Sequence, residues 1–245
     1  MLNIMKSKIK GIKRRLTYGF QAVFQPSKLY IYPRFEYSQH NLSFSQEGED
    51  MILRRFFERQ KNGFYVDVGA HHPQRFSNTY FFYLRGWSGI NIDPIPDSMK
   101  LFDQVRGRDI NLEIGVSEFK KSLTYYIFNE QALNTFSKEL AKQRPAPYKI
   151  VEEKQIETYP LAEVLDQYLP PHQDIDFLSV DVEGLDVEVL KSNNWEKYRP
   201  HIILAEALRM GSLEEAMNSE VSLFLQQQGY QLIAKARNTL FFQEI

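Results

Sequence analysis

The chain has 245 residues, 43% of them hydrophobic and 25% charged, and its formal net charge is −1. That balance suits one globular domain with a short arm, and a near-neutral chain does not suit nucleic acid as a partner. It has no cysteine, which excludes disulfides, thiolate zinc sites and cysteine nucleophiles. No apolar run approaches the roughly 18 residues of a membrane-spanning helix, and the basic N-terminus lacks the unbroken apolar stretch of a secretory signal. A cytoplasmic protein is expected.

In chain order, Lys6, Lys8, Lys10, Lys13, Arg14 and Arg15 come first, interleaved with Ile4, Met5, Ile9, Ile12 and Leu16 at near-helical spacing. Two readings are open for residues 1–20. They form a basic amphipathic helix in peripheral contact with the anionic inner face of a membrane, or an arm solvated or docked on its own domain. Residues 26–44, with prolines at 26 and 33, read as an irregular connector. The arm and connector thus run over 1–42, and the main domain over 43–245. Ser45 is the expected N-cap of a helix whose first turn is acidic and whose apolar face is Met51, Ile52, Leu53, Phe56 and Phe57.

The body then alternates between strand-like and helix-like segments. Strands are expected over 64–68, 87–92, 110–116, 121–128, 175–180 and 201–205. Helices are expected over 76–85, 97–106, 161–168, 185–192 and 212–227. A hairpin over 230–236 and 239–243 closes the chain, and residues 130–158 read as an irregular polar excursion. Repeated β–α alternation with apolar strands predicts an α/β fold with an open, mostly parallel, doubly wound sheet whose last strand is antiparallel.

In such a sheet ligands bind beyond the carboxyl ends of the strands. After the first strand comes Asp67-Val68-Gly69-Ala70-His71-His72-Pro73. Gly69 and Ala70 let the backbone approach a ligand, but only one glycine of the dinucleotide fingerprint is present. Asp93 ends the second strand, where a carboxylate can accept both hydroxyls of an adenosine ribose. Asp181 and Glu183 follow the fourth strand, and Glu206 the fifth. Acids on one sheet edge suit a ligand that carries positive charge. His71 or His72 is a natural general base at neutral pH.

The segments SQEGED (45–50), YVDVGAHHP (65–73), FSNTYFFYLRGWSGINIDP (76–94) and IDFLSVDVEGLDVEVLKS (175–192), in that order, resemble the FkbM-type methyltransferases. The resemblance implies a class I methyltransferase-like sheet of seven strands and S-adenosyl-L-methionine as cofactor. It also implies O-methylation of a small-molecule or glycan-type hydroxyl. By position, it implies that Asp67, Gly69 and Ala70 form the cofactor loop and that Asp93 binds the ribose. The stretch Glu113 to Ser117, including Gly115, would flank the adenine. Ser45, Gln46 and Asp50 would close over the cofactor, with Asn78 and Thr79 near the cleft and Asp181 and Glu183 at the methyl-transfer site. Where glycines are usual, this chain has His71 and Pro73.

The expected chemistry is direct displacement, in which a substrate hydroxyl attacks the methyl carbon opposite the sulfonium. His71, His72, Asp181 and Glu183 are the candidate bases. The carboxylates are favoured for positioning, and a histidine for removing the proton. A divalent metal at Asp181 and Glu183 is an alternative means of acidifying the hydroxyl, though nothing in the sequence supports it. A nucleotide-dependent oxidoreductase and a non-catalytic binding domain are the rival functions. The second predicts that Asp67, Asp93, Asp181 and Glu183 scatter or that side chains fill their pocket.

Overall fold

A computed structural model of the chain describes residues 20–25, 28–33, 41–208 and 211–245. The chain divides into two compact units, Met1–Leu42 and Ser43–Ile245. In the first, strands β1 (Phe20–Gln25) and β2 (Lys28–Pro33) pair antiparallel. The expected irregular connector is therefore strand over part of its length. Its aromatic and β-branched residues favour extended backbone, and the prolines bound the strand rather than interrupt it. The amphipathic pattern of residues 4–16 lies outside the described residues.

The second unit begins with helix α1 (Glu49–Phe56), then β3 (Phe64–Val68), α2 (Tyr80–Leu84), β4 (Ser88–Ile92), α3 (Ser98–Val105) and β5 (Ile110–Leu112). An inserted segment follows: β6 (Gly115–Val116), β7 (Lys121–Phe128), α4 (Lys138–Gln143) and β8 (Ile150–Tyr159). The chain then returns through α5 (Leu161–Tyr168), β9 (Phe177–Val180), α6 (Asp186–Lys191) and β10 (Ile202–Glu206). It ends with α7 (Leu213–Met217), α8 (Glu220–Gln227), β11 (Tyr230–Ala236) and β12 (Thr239–Glu244).

Seven strands form one sheet in the order β11-β12-β10-β9-β3-β4-β5. All neighbouring pairs are parallel except those made by β12, which runs antiparallel to both β10 and β11. Two-residue alternation sends β3 side chains to opposite faces. Phe64, Val66 and Val68 join the core under α5, α6 and α8, whereas Tyr65 packs with Leu53, Phe82, Trp87 and Phe177 on the other face. Covered on both sides, the central strands are buried at every position of β3 and β9. The chain leaves β3 for β4 and β5 on one side, then crosses back to β9 and β10 on the other. The strand order therefore reverses between β3 and β9, and a ligand cleft belongs at their carboxyl ends. Among the described residues, no helix is long and apolar enough to cross a membrane.

Several boundaries differ from expectation for local reasons. The strand expected over 110–116 is split: β5 joins the main sheet, while β6 pairs with β8. Gly48, in the left-handed region at φ 89°, precedes α1 in place of Ser45 as the cap, and the Ser45 hydroxyl donates to the Asp50 carboxylate at 2.8 Å. The first helix after β3 starts late because the Ser77 hydroxyl accepts the backbone N–H of Tyr80 at 3.1 Å. The helix expected over 212–227 breaks at Asn218-Ser219, where the Ser219 hydroxyl caps α8 by accepting the Ser222 N–H at 3.2 Å. The polar excursion over 130–158 is not irregular. It contains α4 and the ten-residue β8, which pairs with β6 and β7 in a three-stranded sheet. Strand β8 is mostly exposed, so it lacks the apolar alternation by which strands are read.

Candidate functional site

A cleft with a cavity volume of about 240 Å³ opens at the carboxyl edge between β3 and β9. Gly69 shapes it. Its φ is +86°, and a Cβ there would lie 1.7 Å from the Asp181 carbonyl oxygen. The turn after β3 and the turn after β9 thus touch, and only glycine allows both the backbone conformation and the approach. The Gly69 and Ala70 N–H groups both donate to the Ile92 carbonyl, at 2.9 and 3.1 Å, which ties the turn to β4.

Asp93 follows β4 directly. Its two oxygens accept the N–H groups of His71 and Ile95, each at 2.8 Å, so that it holds both neighbouring turns in place. The side chain is buried, and burial pushes its pKa up to about 6 against the opposing effect of those two hydrogen bonds. Beside it Pro94, Ile95, Ile114, Val116, Tyr125 and Phe136 make an apolar end of the cleft. Tyr125 and Phe136 come from the inserted segment, with ring centroids 4.6 Å apart.

The other end is acidic. Asp181, Glu183 and Glu206 bring carboxylate oxygens within 4.8 Å of one another. Glu183 sits at φ +51°, a strained backbone for a side-chain-bearing residue. The inserted segment holds it there: the Thr135 hydroxyl donates to its carbonyl at 2.8 Å, and the Arg144 guanidinium donates to its carboxylate at 2.5 Å. Asp181 faces the open cleft but is crowded by protein elsewhere. That desolvation, with the charges of Glu183, Asp186 and Asp67, raises its pKa well above the carboxylate range. Glu206 is raised too, by desolvation first and then by Asp181, Glu183 and Asp186. The spacing of the three carboxylates would admit a cation. Arg144 already supplies a positive charge to Glu183, however, so the residues do not fit a resident metal and no metal-dependent step is derived.

The structure brings Gln46, Gly69, His71, Asp93, Asp181 and Glu183 together around the cleft, with Asn78 and Glu206. Other expected residues lie beneath or beside it. Asp67 points to the opposite face from Val68, where its carboxylate accepts the Thr79 hydroxyl at 2.8 Å. Thr79 in turn accepts from the fully buried Arg106, itself paired with Asp109. Asp50 spends its carboxylate on the Phe44 N–H and on the Ser43 and Ser45 hydroxyls. Ala70 packs against Met99 and Phe102. Gly115 faces Thr158 and Phe136, and the Ser117 hydroxyl is taken up by Phe119 and Thr158. Their neighbours Ile114 and Val116 line the cleft instead.

The two histidines also separate. His72 is outside the cleft lining, and its Nδ1 accepts the N–H groups of Gln74 and Arg75 at 3.1 and 3.0 Å, which is a turn-capping role. His71 lines the cleft, but burial, with Arg75 and His72 nearby, pushes its pKa down to about 4. An imidazole that releases its proton so readily is a weak base for a hydroxyl, which weighs against His71 as the group that removes the proton.

Residues that no sequence signal assigned to the site complete it: Tyr125, Asn134, Phe136 and Arg144 from the inserted segment and Asn238 and Thr239 from the terminal hairpin, with Glu47 and Glu49 of the SQEGED segment beside them. Thr239 reaches it because it pairs with Glu206 across β12 and β10. Among the described residues, nine buried side-chain atoms lack a hydrogen-bond partner. Five of them belong to cleft residues: Glu47 Oε2, His71 Nδ1, Asn134 Nδ2, Arg144 Nε and Glu206 Oε2. Buried polar groups are rarely left unpaired without a reason, and this clustering marks the cavity as a place where polar ligand atoms belong.

A doubly wound sheet with β12 antiparallel, an acid after the second strand and three acids after the fourth and fifth defines a methyltransferase-like α/β enzyme. The chain matches the family model described as the methyltransferase FkbM domain over residues 67–232. That is more than half its length, and the chain belongs to this family of methyltransferases. No curated protein matches the chain.

Proposed function

We propose that this methyltransferase uses S-adenosylmethionine to methylate a hydroxyl group of a sugar or glycan-type acceptor. The observation that carries the reading is the two-ended cleft: an apolar end beside Asp93, and an acidic end at Asp181, Glu183 and Glu206. An adenosine suits the first end and a positively charged sulfur the second. When bound, the cofactor supplies an electrophilic methyl group on that sulfur.

Each residue then has a defined task. Asp93, its outward lone pairs free beyond two backbone bonds, accepts the ribose hydroxyls. Ile95, Tyr125 and Phe136 cover the adenine and exclude water. Gly69 lets the backbone pass close beneath. At the acidic end, Gln46, Asn238 and Thr239 offer hydrogen bonds to a polyhydroxylated acceptor, and the carboxylates orient its reacting hydroxyl toward the methyl group. Alignment of this kind lowers the barrier without any covalent intermediate on the protein.

Isothermal titration of the full chain with S-adenosylhomocysteine and with NAD tests the reading. Binding of the first alone is expected, and binding of NAD alone overturns the proposal in favour of a nucleotide-dependent oxidoreductase. Asp93→Ala is expected to weaken S-adenosylhomocysteine binding by roughly ten- to a hundred-fold, the worth of hydrogen bonds to a charged group. An unchanged Kd removes Asp93 from the ribose site.

A further inference from the structure

Three carboxylates share the acidic end, but they are not equivalent. Glu183 has its counter-charge in Arg144 at 2.5 Å. Among the described residues Asp181 and Glu206 have no cation of their own, and they lie against each other, Asp181 just after β9 and Glu206 at the end of β10. Parallel pairing in register is what brings them together: Leu204 opposes Ser179 and Ala205 opposes Val180, so Glu206, the last residue of β10, meets Asp181, the residue after β9. Glu206 Oε2 is buried with no hydrogen-bond partner among the described residues. Among the described residues, the other charged groups around the pair are Asp67 from β3, Asp186 from the start of α6 and Glu183 with Arg144. Glu47 and Glu49 line the cavity from the α1 side, Glu47 lying 3.9 Å from Arg237. His71 lines it too, and is uncharged at neutral pH.

A second observation points to a ligand in the same cavity. Asn134, 6% exposed, lines the same cavity from the inserted segment. Its Oδ1 accepts the Phe128 N–H at 2.8 Å, while its Nδ2 is buried and unpartnered. The amide end left over is a donor beside the Tyr125 hydroxyl that forms no well-aligned hydrogen bond among the described residues, so a ligand acceptor can take it up.

Carboxylates with oxygens within 4.8 Å of each other raise each other's affinity for a proton. We propose that Asp181 and Glu206 act as a single proton-holding pair, which gives up its proton when the positively charged cofactor binds and takes the acceptor hydroxyl's proton as the methyl group is transferred. The step balances. The acceptor oxygen forms its bond to the methyl carbon, the carbon–sulfur bond breaks with its electron pair going to sulfur, and the hydroxyl proton passes to the pair. Positive charge leaves sulfur in the same step, so the two carboxylates regain their affinity for a proton just as one is released. The upward displacement of both acids supports this assignment, as does the weak basicity of His71, the remaining candidate base in the cleft. Glu183, held by Arg144, orients but does not take the proton.

The inference rests on the S-adenosylmethionine reading above, and its test separates the two. S-adenosylmethionine and S-adenosylhomocysteine differ by one methyl group and one positive charge. Calorimetric titration of the full chain with each, at neutral pH in buffers of different ionisation enthalpy, counts the protons released on binding. S-adenosylmethionine is expected to release more, by up to about one proton per site. The difference should shrink toward zero in Glu206→Gln and in Asp181→Asn, each checked for wild-type circular dichroism. Equal proton release by the two ligands in the wild type overturns the proposal. So does a difference that survives undiminished in both variants. Failure of both ligands to bind overturns the cofactor reading itself.

Discussion

Both oxygens of Asp93 hold backbone N–H groups while the same carboxylate lines the cleft, so one side chain shapes the turn and faces the ligand. His71 and His72 show how differently adjacent identical residues end up. A left-handed backbone at His71, φ +52°, turns its ring into the cavity, and the next residue points away and caps a turn. The environment sets their chemistry. For His71 the folded pKa of about 4 lies below the ordinary histidine value, so the neutral form favours the fold. Its contribution to stability is present above the ordinary value and lost as pH falls through the folded value. Carbon-bound imidazole proton resonances followed from pH 8 to 3 should place the His71 midpoint near 4. A midpoint near 6.5, assigned through His71→Asn, would restore His71 as a capable base.

At the scale of elements, the site depends on turns that touch. Gly69→Ala puts a methyl group against the Asp181 carbonyl and a side chain at φ +86°. The left-handed conformation alone costs about 1–2 kcal/mol, and the overlap adds to it by forcing apart the turns after β3 and β9. Urea denaturation should therefore show a loss of roughly 2 kcal/mol or more, with cofactor binding weakened beyond what the stability change explains. A variant with wild-type stability and affinity would mean that the two turns can separate freely. The inserted sheet matters in the same way. It adds only Val116 and Tyr159 to the edge of the main core, yet Tyr125, Asn134 and Phe136 wall the cleft, and Arg144 and Thr135 clasp the Glu183 turn.

Across the whole molecule, the cleft concentrates negative charge that the fold must tolerate. Asp186 is pushed up to about 7 and Asp93 to about 6, burial being the largest cause for each. Both bind a proton more tightly folded than unfolded. Their contribution to stability is therefore complete below the ordinary carboxylate pKa and is lost as pH rises through the folded values. Asp186→Asn removes one such group. Relative to wild type, its urea midpoint should improve progressively from about pH 4 to about pH 8, because the penalty of ionising Asp186 appears only in the wild type. A difference between the two proteins that does not change with pH would show that Asp186 ionises without cost. Sites that store unfavourable charge in this way trade stability for function.

Much of this protein was legible in its residues alone. The apolar runs Phe64 to Val68 and Ile202 to Ala205, the turn signals between segments and the terminal hairpin around Arg237-Asn238 are local, and period and turn chemistry determine such features without the rest of the chain. The acids at strand ends were legible for the same reason, because a residue that ends a parallel strand lies at the ligand-binding edge whatever follows. Folding alone decided which of them face the cleft. Strand alternation turned Asp67 to the opposite face, and a one-residue difference in backbone conformation separated His71 from His72. Within the inserted segment β7 was legible at 121–128, but β8 gave no signal, since it is exposed and polar and its partners are tens of residues away in the sequence. The pairing of Asp181 with Glu206, and of Glu183 with Arg144, likewise needed the register of β9 on β10 and the placement of α4. A sequence shows which charges a chain carries; the distances that make two of them share a proton exist only once the chain is folded.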